Sequence, residues 1–387
     1  MLHEFEMSER KYKESISSVI NCKPENIFLY WKGRVALYAV LKAIGIKNGD
    51  EIILPAFTCV VVPNAIKYLG AKPIYVDIST NNYNMITDKL EEAISEKTKV
   101  IICQNTFGLS SNIETILEIA KKYNLYTIED CTHGFGGLYN GKPNGSYCDA
   151  AFYSSQWNKP FSTGIGGFLI VNNEELIPKI KVIEKEKIKP GIISKGLLSL
   201  LLSFRKYFIN DTTQHTFTNF YRFLSKHNLV IGSSQGNELT STELPENYFM
   251  DISSIQVKRG IKELKNLYKL NRLRKKNAAD YTGFLKSKNK TYVKEDLFDN
   301  HLFLKYPLIV KDRELLFNLA LKEKIILGDW FVSPLHPVKE NFHLWDLDID
   351  SFPVSKAISK KILNLPTDIK DNRKVFEFLN KNLELIE

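Results

Sequence analysis

No stretch of the 387-residue chain holds ~20 consecutive apolar residues, which argues against a membrane-spanning helix. Residues 1–14 are charged throughout and lack the apolar centre of a secretory signal, so a cytoplasmic protein is expected. Cysteine is sparse. Cys22, Cys59, Cys103, Cys131 and Cys148 are odd in number, and none stands in C-x-x-C spacing. Free thiols in a reducing compartment are the expectation, with no metal site. Internal repeats, low-complexity tracts and blocks of like charge are all missing, as are zinc-finger and RNA-recognition signatures. The net charge of +9 therefore points to anionic ligands such as phosphates, nucleotides or acidic lipid, and not to nucleic acid.

What is present is an ordinary globular composition, 44% hydrophobic and 25% charged, in a chain long enough for a large domain with a smaller partner. Residues 33–45 carry apolar residues at helical spacing and stop at a glycine. A regular alternation follows. Strands are predicted at 52–54, 73–78, 100–104 and 125–130, and helices at 58–69, 87–95 and 113–123. Such βαβ units predict an α/β fold with a mainly parallel sheet between helices. Two apolar runs, 149–154 and 168–171, have no room for a helix between them. Their polar, glycine-rich connection predicts a loop at the functional edge.

Residues 179–232 break the rhythm, with ten Lys or Arg against three acids and an apolar run at 196–209. This reads as a helical insertion. Helical patterning resumes from 246 to 285, and a smaller C-terminal α+β region follows. The predicted division is a large domain over 1–250, carrying the insertion, and a small domain over 251–387.

Four features carry candidate chemistry. Asp130 ends a predicted strand, where open α/β sheets bind ligands. A carboxylate there is placed to pair with a protonated ring nitrogen; a turn or helix cap is the plainer alternative. Lys159 lies between a strand and Gly164, Gly166 and Gly167. A lysine that forms an imine must be reachable and partly desolvated; a solvated surface charge is the alternative. Gly33-Arg34 opens a helix whose unpaired N–H groups suit a phosphate, and Ser154 adds a hydroxyl. A plain helix start remains open. His133 follows Asp130 by three residues and is placed to meet the same ligand or to be an ordinary loop histidine.

Taken together, these stretches resemble the DegT/DnrJ/EryC1/StrS sugar aminotransferases of pyridoxal-phosphate fold type I, over about residues 30–175 and 243–370. GRVAL (33–37) is similar to that family's G-T-x-A-L phosphate loop, and IEDCTHGFGG (128–137) to its E-D-A-A-[QH] motif. Ser154 to Gly167 resembles S-x-x-x-x-K-x-x-x-x-G-x-G-G. PENYFM (245–250), SPLHP (333–337) and ILNLPT (362–367) match later segments.

The resemblance implies pyridoxal 5′-phosphate as cofactor, held as an imine by Lys159, with Asp130 on the pyridine nitrogen. It implies further cofactor contacts from Gly33, Arg34, Cys59, His133 and Ser154. Asn247 would reach across a homodimer interface, and His336 and Trp330 would stand on the substrate side. The implied reaction moves an amino group from an amino acid, L-glutamate in most relatives, to a keto-sugar carried on a nucleotide. Four departures stand out. Arg34 replaces Thr, Cys59 replaces an aromatic, Phe249 stands where the family's N-Y-R stretch has Arg, and the 179–232 segment is long. They leave open a small phosphorylated ketone as substrate, or a non-catalytic scaffold. The basic, apolar insertion would either cover the active site or the dimer, or lie on an acidic membrane surface.

Overall fold

A computed structural model describes residues 2–208 and 236–387. The part of the basic segment from 209 to 232 lies outside the described residues. In chain order the strands are β1 (Ile27–Tyr30), β2 (Glu51–Pro55), β3 (Thr58–Cys59), β4 (Lys72–Val76), β5 (Thr98–Gln104), β6 (Tyr126–Asp130), β7 (Leu138–Tyr139), β8 (Lys142–Pro143), β9 (Ala150–Ser154), β10 (Gly167–Val171), β11 (Tyr306–Ile309), β12 (Leu335–His336) and β13 (Ile362–Leu365).

Seven of them form one sheet in the order β1-β10-β9-β6-β5-β2-β4. All neighbours are parallel except those of β10, which runs antiparallel to both β9 and β1. Side chains alternate between two buried faces. Ile52 and Leu54 pack with Val35, Leu37 and Val40 of the helix Gly33–Ile44. Ile53 and Ile101 point the other way, onto Ile113 and Ile116 of the helix Ile113–Lys122. Strands covered on both sides read as continuous apolar runs, which is why β2 is EIILP. The helix Gly33–Ile44 is buried almost all round and ends at Gly45, whose φ of 94° is the left-handed stop.

A second core surrounds the helix Leu267–Ser287, with Tyr281 and Leu285 against Tyr306, Leu308 and Phe378. Strands β11 and β13 pair antiparallel beneath it.

Two predicted helices are corrected. Residues 58–69 split into the two-residue strand β3 and the helix Val61–Lys67. Thr58 N–H donates to the Pro334 carbonyl and so recruits that residue to a short parallel ladder with β12. Residues 87–95 form only two single 3-10 turns, Thr87–Lys89 and Glu91–Ala93. Strand β1, only four residues long, has no alternating pattern of its own and is defined by its pairing with β10.

The reversal at β10 sets the functional edge. Because β10 is antiparallel, its first residue, Gly167, lies beside the last residue of β9, Ser154, and the last of β1, Tyr30. The helix start at Gly33 then docks onto that corner. A Cβ on Gly167 would stand 2.2 Å from Gly33 Cα, and one on Gly33 2.7 Å from the Tyr153 carbonyl oxygen. Glycine at both places is a packing requirement. Gly167→Ala is expected to destabilise the fold by about 1–3 kcal/mol through overpacking. Urea denaturation checks this, and an unchanged midpoint would refute the close-contact argument.

Candidate active site

The carboxyl ends of β5, β6 and β9 lie side by side, with Gln104 in register with Asp130, and Asp130 with Phe152. They open onto a cavity of about 170 Å³. Lys159 and Asp130 both line it. Lys159 stands at the tip of the loop between β9 and β10. That loop is closed by Ser155 N–H to the Gly166 carbonyl (2.9 Å), Thr163 N–H to the Ser155 carbonyl (2.8 Å) and a 2.7 Å contact between the Ser155 and Thr163 hydroxyls. Lys159 N–H itself donates to the Gln156 carbonyl.

Asp130 is buried and Lys159 half-buried, and among the described residues neither is joined to a group of opposite sign. Asp130 accepts a hydrogen bond from Thr132 N–H at 2.9 Å, and among the described residues no lysine or arginine forms an ion pair with it. Burial pushes its carboxyl up, while the Thr132 hydrogen bonds and the Lys159 charge pull it back. Burial lowers the Lys159 amine to about 8, against the attraction of Asp130. The Lys159 ammonium lies 4.8 Å from the centre of the Trp330 ring. That indole is stacked on His133, with ring centres 4.5 Å apart and planes 2° from parallel.

His133 is neutral, since burial first and then the Lys159 charge hold its pKa well below the ordinary range. Its Nδ1 accepts from Phe107 N–H at 3.3 Å, which assigns the ring proton to Nε2. His336 also lines the cavity, with burial lowering its pKa to about 4. The β3–β12 ladder places it opposite Cys59, which faces the same space.

Gly33, Arg34 and Ser154 line the end of the cavity where the helix begins. Arg34 differs from the expected phosphate contact. Its guanidinium is buried against Glu238 at 2.5 Å, and that carboxylate is the attraction holding its charge. Of the residues singled out from the sequence, Asn247 alone stands apart. It is exposed, although its neighbour Tyr248 donates to the Arg34 carbonyl at 3.1 Å.

Lys32, Gln104 and Thr132 line the cavity and were not anticipated. Gln104 accepts from the Thr58 hydroxyl and donates to the Phe57 carbonyl, so it ties β3 to the site. Lys32 and Thr132 each adjoin a motif residue, and adjacency was the available signal. Among the described residues no cluster of three or more His, Cys, Asp or Glu is placed to hold a metal ion.

The sequence model of the DegT/DnrJ/EryC1/StrS aminotransferase family matches residues 31–194 and 212–374. The GDP-perosamine synthase of Escherichia coli O157:H7 is 42% identical over 144 residues, 37% of this chain and 40% of that protein. The UDP-2-acetamido-2-deoxy-3-oxo-D-glucuronate aminotransferase of Pseudomonas aeruginosa is 38% identical over 154 residues, 40% of this chain and 43% of that protein. The matched region thus spans about two fifths of these curated relatives.

Among solved structures, a DegT DnrJ EryC1 StrS aminotransferase from Brucella abortus superposes with a TM-score of 0.74 at 20% identity, over 96% of this chain and 89% of that one. The PLP-form of the sugar aminotransferase Spr1654 from Streptococcus pneumoniae gives 0.69 at 18% identity, over 97% and 90%. At such identities the likeness establishes the fold, that of the type I pyridoxal-phosphate transferases.

The Arg34–Glu238 pair generates a prediction. Removing one partner of a buried ion pair leaves the other charge stranded. Glu238→Ala is expected to cost about 3 kcal/mol of stability, read as a lower urea midpoint. A midpoint within error of the parent protein would show that the pair does not hold Arg34.

Proposed function

Because the chain belongs to the DegT/DnrJ/EryC1/StrS aminotransferase family, we propose that it binds pyridoxal 5′-phosphate and transfers an amino group from an amino acid, L-glutamate foremost, to a nucleotide-linked keto-sugar for polysaccharide or secondary-metabolite synthesis. One observation carries this reading: buried Asp130 and half-buried Lys159 are oppositely charged, form no ion pair with each other, and face one cavity. That arrangement suits a ring with an aldehyde for the amine and a basic nitrogen for the carboxylate. Relatives named for GDP-, dTDP- and UDP-linked sugars support the substrate class and leave the nucleotide open.

Bound pyridoxal phosphate would supply the carbonyl for covalent attachment and a ring that withdraws electrons. The chain's own residues do the rest. Lys159 Nζ would hold the cofactor's aldehyde carbon, and its free amine would take up and return a proton at the reacting carbon centres. With a pKa of about 8, about a tenth of it is a free base at pH 7. Asp130 would pair with the ring nitrogen and favour its protonated form. Neutral His133 offers Nε2–H to the cofactor's face or substituents, and Trp330 and His336 wall the substrate side and exclude water.

The test is spectroscopic and then enzymatic. The protein is expected to take up pyridoxal phosphate with a visible absorbance band that Lys159→Ala abolishes. Glutamate should convert that band, and a nucleotide-linked keto-sugar should restore it. Restoration only by a small phosphorylated ketone would replace the substrate class. No uptake of pyridoxal phosphate at all would leave a scaffold.

A pH dependence accompanies this. Lys159 faces Asp130, Cys59 and Arg34 together with the neutral His133 and His336. Its amine reacts only when deprotonated, so the attachment rate should rise about tenfold per pH unit below about 8 and level off above it. A rate that is flat between pH 6 and 8 counts against Lys159 as the attachment point.

We further propose a homodimer in a reducing compartment such as the cytoplasm, which five free cysteines suit. In it, the exposed Asn247 of one copy reaches the phosphate end of the other copy's cavity. Sedimentation should give a dimer, and Asn247→Ala should weaken pyridoxal phosphate binding about tenfold. A monomer at micromolar concentration removes the shared site.

The described part of the insertion supports a covering role. Leu198, on the helix Ile192–Phe208, is buried with Trp31 and Ile165. The Arg205 guanidinium lies 4.8 Å over Trp157, which lines the cavity. No described helix is long and apolar enough to cross a membrane. The outer side of this one exposes Ile192, Ile193 and Leu200 near Lys195 and Lys206, a pattern that suits an acidic membrane surface. Flotation with anionic vesicles at low salt tests that contact, and protein left in the unbound fraction removes it.

A further inference from the structure

We infer that Lys32 is a phosphate ligand of this site: its ammonium pairs with the phosphate group of the cofactor, the position in which the motif sets Arg34. The inference rests on the pyridoxal-phosphate reading and adds a residue that the family motif does not include.

The argument starts from the helix start. Lys32 is the residue before Gly33–Ile44, with an extended backbone (φ −140°, ψ 152°) and no side-chain cap on the helix. The first N–H groups of a helix lack intrahelical partners and carry partial positive charge, so an anion is favoured there. A phosphate approaching them also meets Gly33, which has no Cβ, and Ser154. That much was open to sequence reading.

The side chains change the charge arithmetic. Arg34 is held at 2.5 Å by Glu238, so the pair contributes little net field at the cavity. Lys32 lines the same end of the cavity. Among the described residues its ammonium makes no hydrogen bond and no ion pair. Burial, and then repulsion by the Arg34 guanidinium, lower it to about 8, with Glu238 only partly opposing. A half-buried lysine with no partner among the described residues carries a desolvation cost, and that cost is relieved when an anion arrives in the cavity it lines.

Position along the sheet supports the same assignment. Lys32 follows β1 and Asp130 ends β6, three strand steps apart in the order β1-β10-β9-β6. At strand spacing that is about 14 Å between backbones. The cavity therefore has an unpaired cation at one end and an unpaired anion at the other, with Lys159 lining the same space. Pyridoxal phosphate has the complementary polarity, a phosphate dianion at one end and a protonated nitrogen at the other.

A phosphate could also come from the substrate's diphosphate, and the experiment separates the two sources. Dissociation constants for pyridoxal phosphate, for pyridoxal without phosphate and for a nucleoside diphosphate are measured by fluorescence titration of the full-length protein, its Lys32→Met variant and its Lys32→Arg variant. Lys32→Met should weaken pyridoxal phosphate about tenfold or more, the scale of a charge-assisted hydrogen bond. Pyridoxal should be unaffected, and Lys32→Arg should recover most of the loss. A merely structural role would weaken both aldehydes alike and would not be rescued. Unchanged pyridoxal phosphate affinity in Lys32→Met overturns the inference, as does a loss confined to the nucleoside diphosphate. If the parent protein itself binds no pyridoxal phosphate, the cofactor reading fails first, which is a separate and recognisable outcome.

Discussion

Buried Asp130 and half-buried Lys159 face one cavity without being allowed to neutralise each other, and the architecture of the sheet edge follows from that constraint. A direct ion pair would satisfy both groups and fill the space between them. Their separation is maintained from behind. Thr132 N–H fixes the Asp130 carboxylate at the end of β6. The loop carrying Lys159 is closed by its own hydrogen bonds and held from outside by Arg274 of the helix Leu267–Ser287, which is buried and donates to the Pro160 carbonyl at 3.1 Å. Arg274 also donates to Asn271, whose amide reaches the Gly136 carbonyl. One stretch of the helix Leu267–Ser287 therefore grips both the loop that bears Lys159 and the loop that follows Asp130. The free energy of holding two unpaired charges is met by packing elsewhere in the chain, as is usual where pKa values are displaced for chemistry.

The same edge explains the glycines. A parallel sheet presents all its carboxyl ends together, but the helix start at Gly33 must also arrive there to line the cavity. The antiparallel β10 solves this by bringing its first residue to the carboxyl edge, where Gly167 and Gly33 touch backbone to backbone. Any side chain at either position would push the helix start away from Ser154 and from the cavity that Lys159 lines.

What the sequence could disclose was local. Asp130 at a strand end, Lys159 before a glycine-rich turn and the Gly33 helix start are each written within a few residues, and the alternation of strands and helices sets the sheet. What it could not disclose depends on chain segments that meet only on folding. The strand β1 is four residues long and becomes a strand by pairing with β10, some 140 positions away. Residues 58–69 read as one helix because their apolar spacing allows it, yet Thr58 and Cys59 are taken by β12. The stack of Trp330 on His133, and the facing of Cys59 and His336, likewise join distant segments. Lys32 was within sight of the motif. Its meaning depends on Glu238, because only the capture of Arg34 by that carboxylate makes the neighbouring lysine the uncompensated cation.

That capture also links two departures from the family pattern that look independent in the sequence. An arginine in the phosphate loop brings a buried guanidinium to a place where a small hydroxyl side chain is usual, and it is tolerable only with an acid against it. The acid comes from the turn Gly236–Leu239, directly after the long basic segment. Further contacts bind the same turn, since the Glu238 carbonyl accepts from Asn64, whose side-chain oxygen in turn accepts from Trp345. The segment's return is therefore fixed beneath the active site by main chain and side chain together. Its helix Ile192–Phe208 covers the Lys159 loop on one side while its exit supplies the counter-charge for Arg34 on the other. An enlarged insertion and a charged phosphate loop are, in this chain, two halves of one rearrangement, and a relative with Arg at the position of Arg34 but no acid returning from this segment would have to bury that charge unpaired.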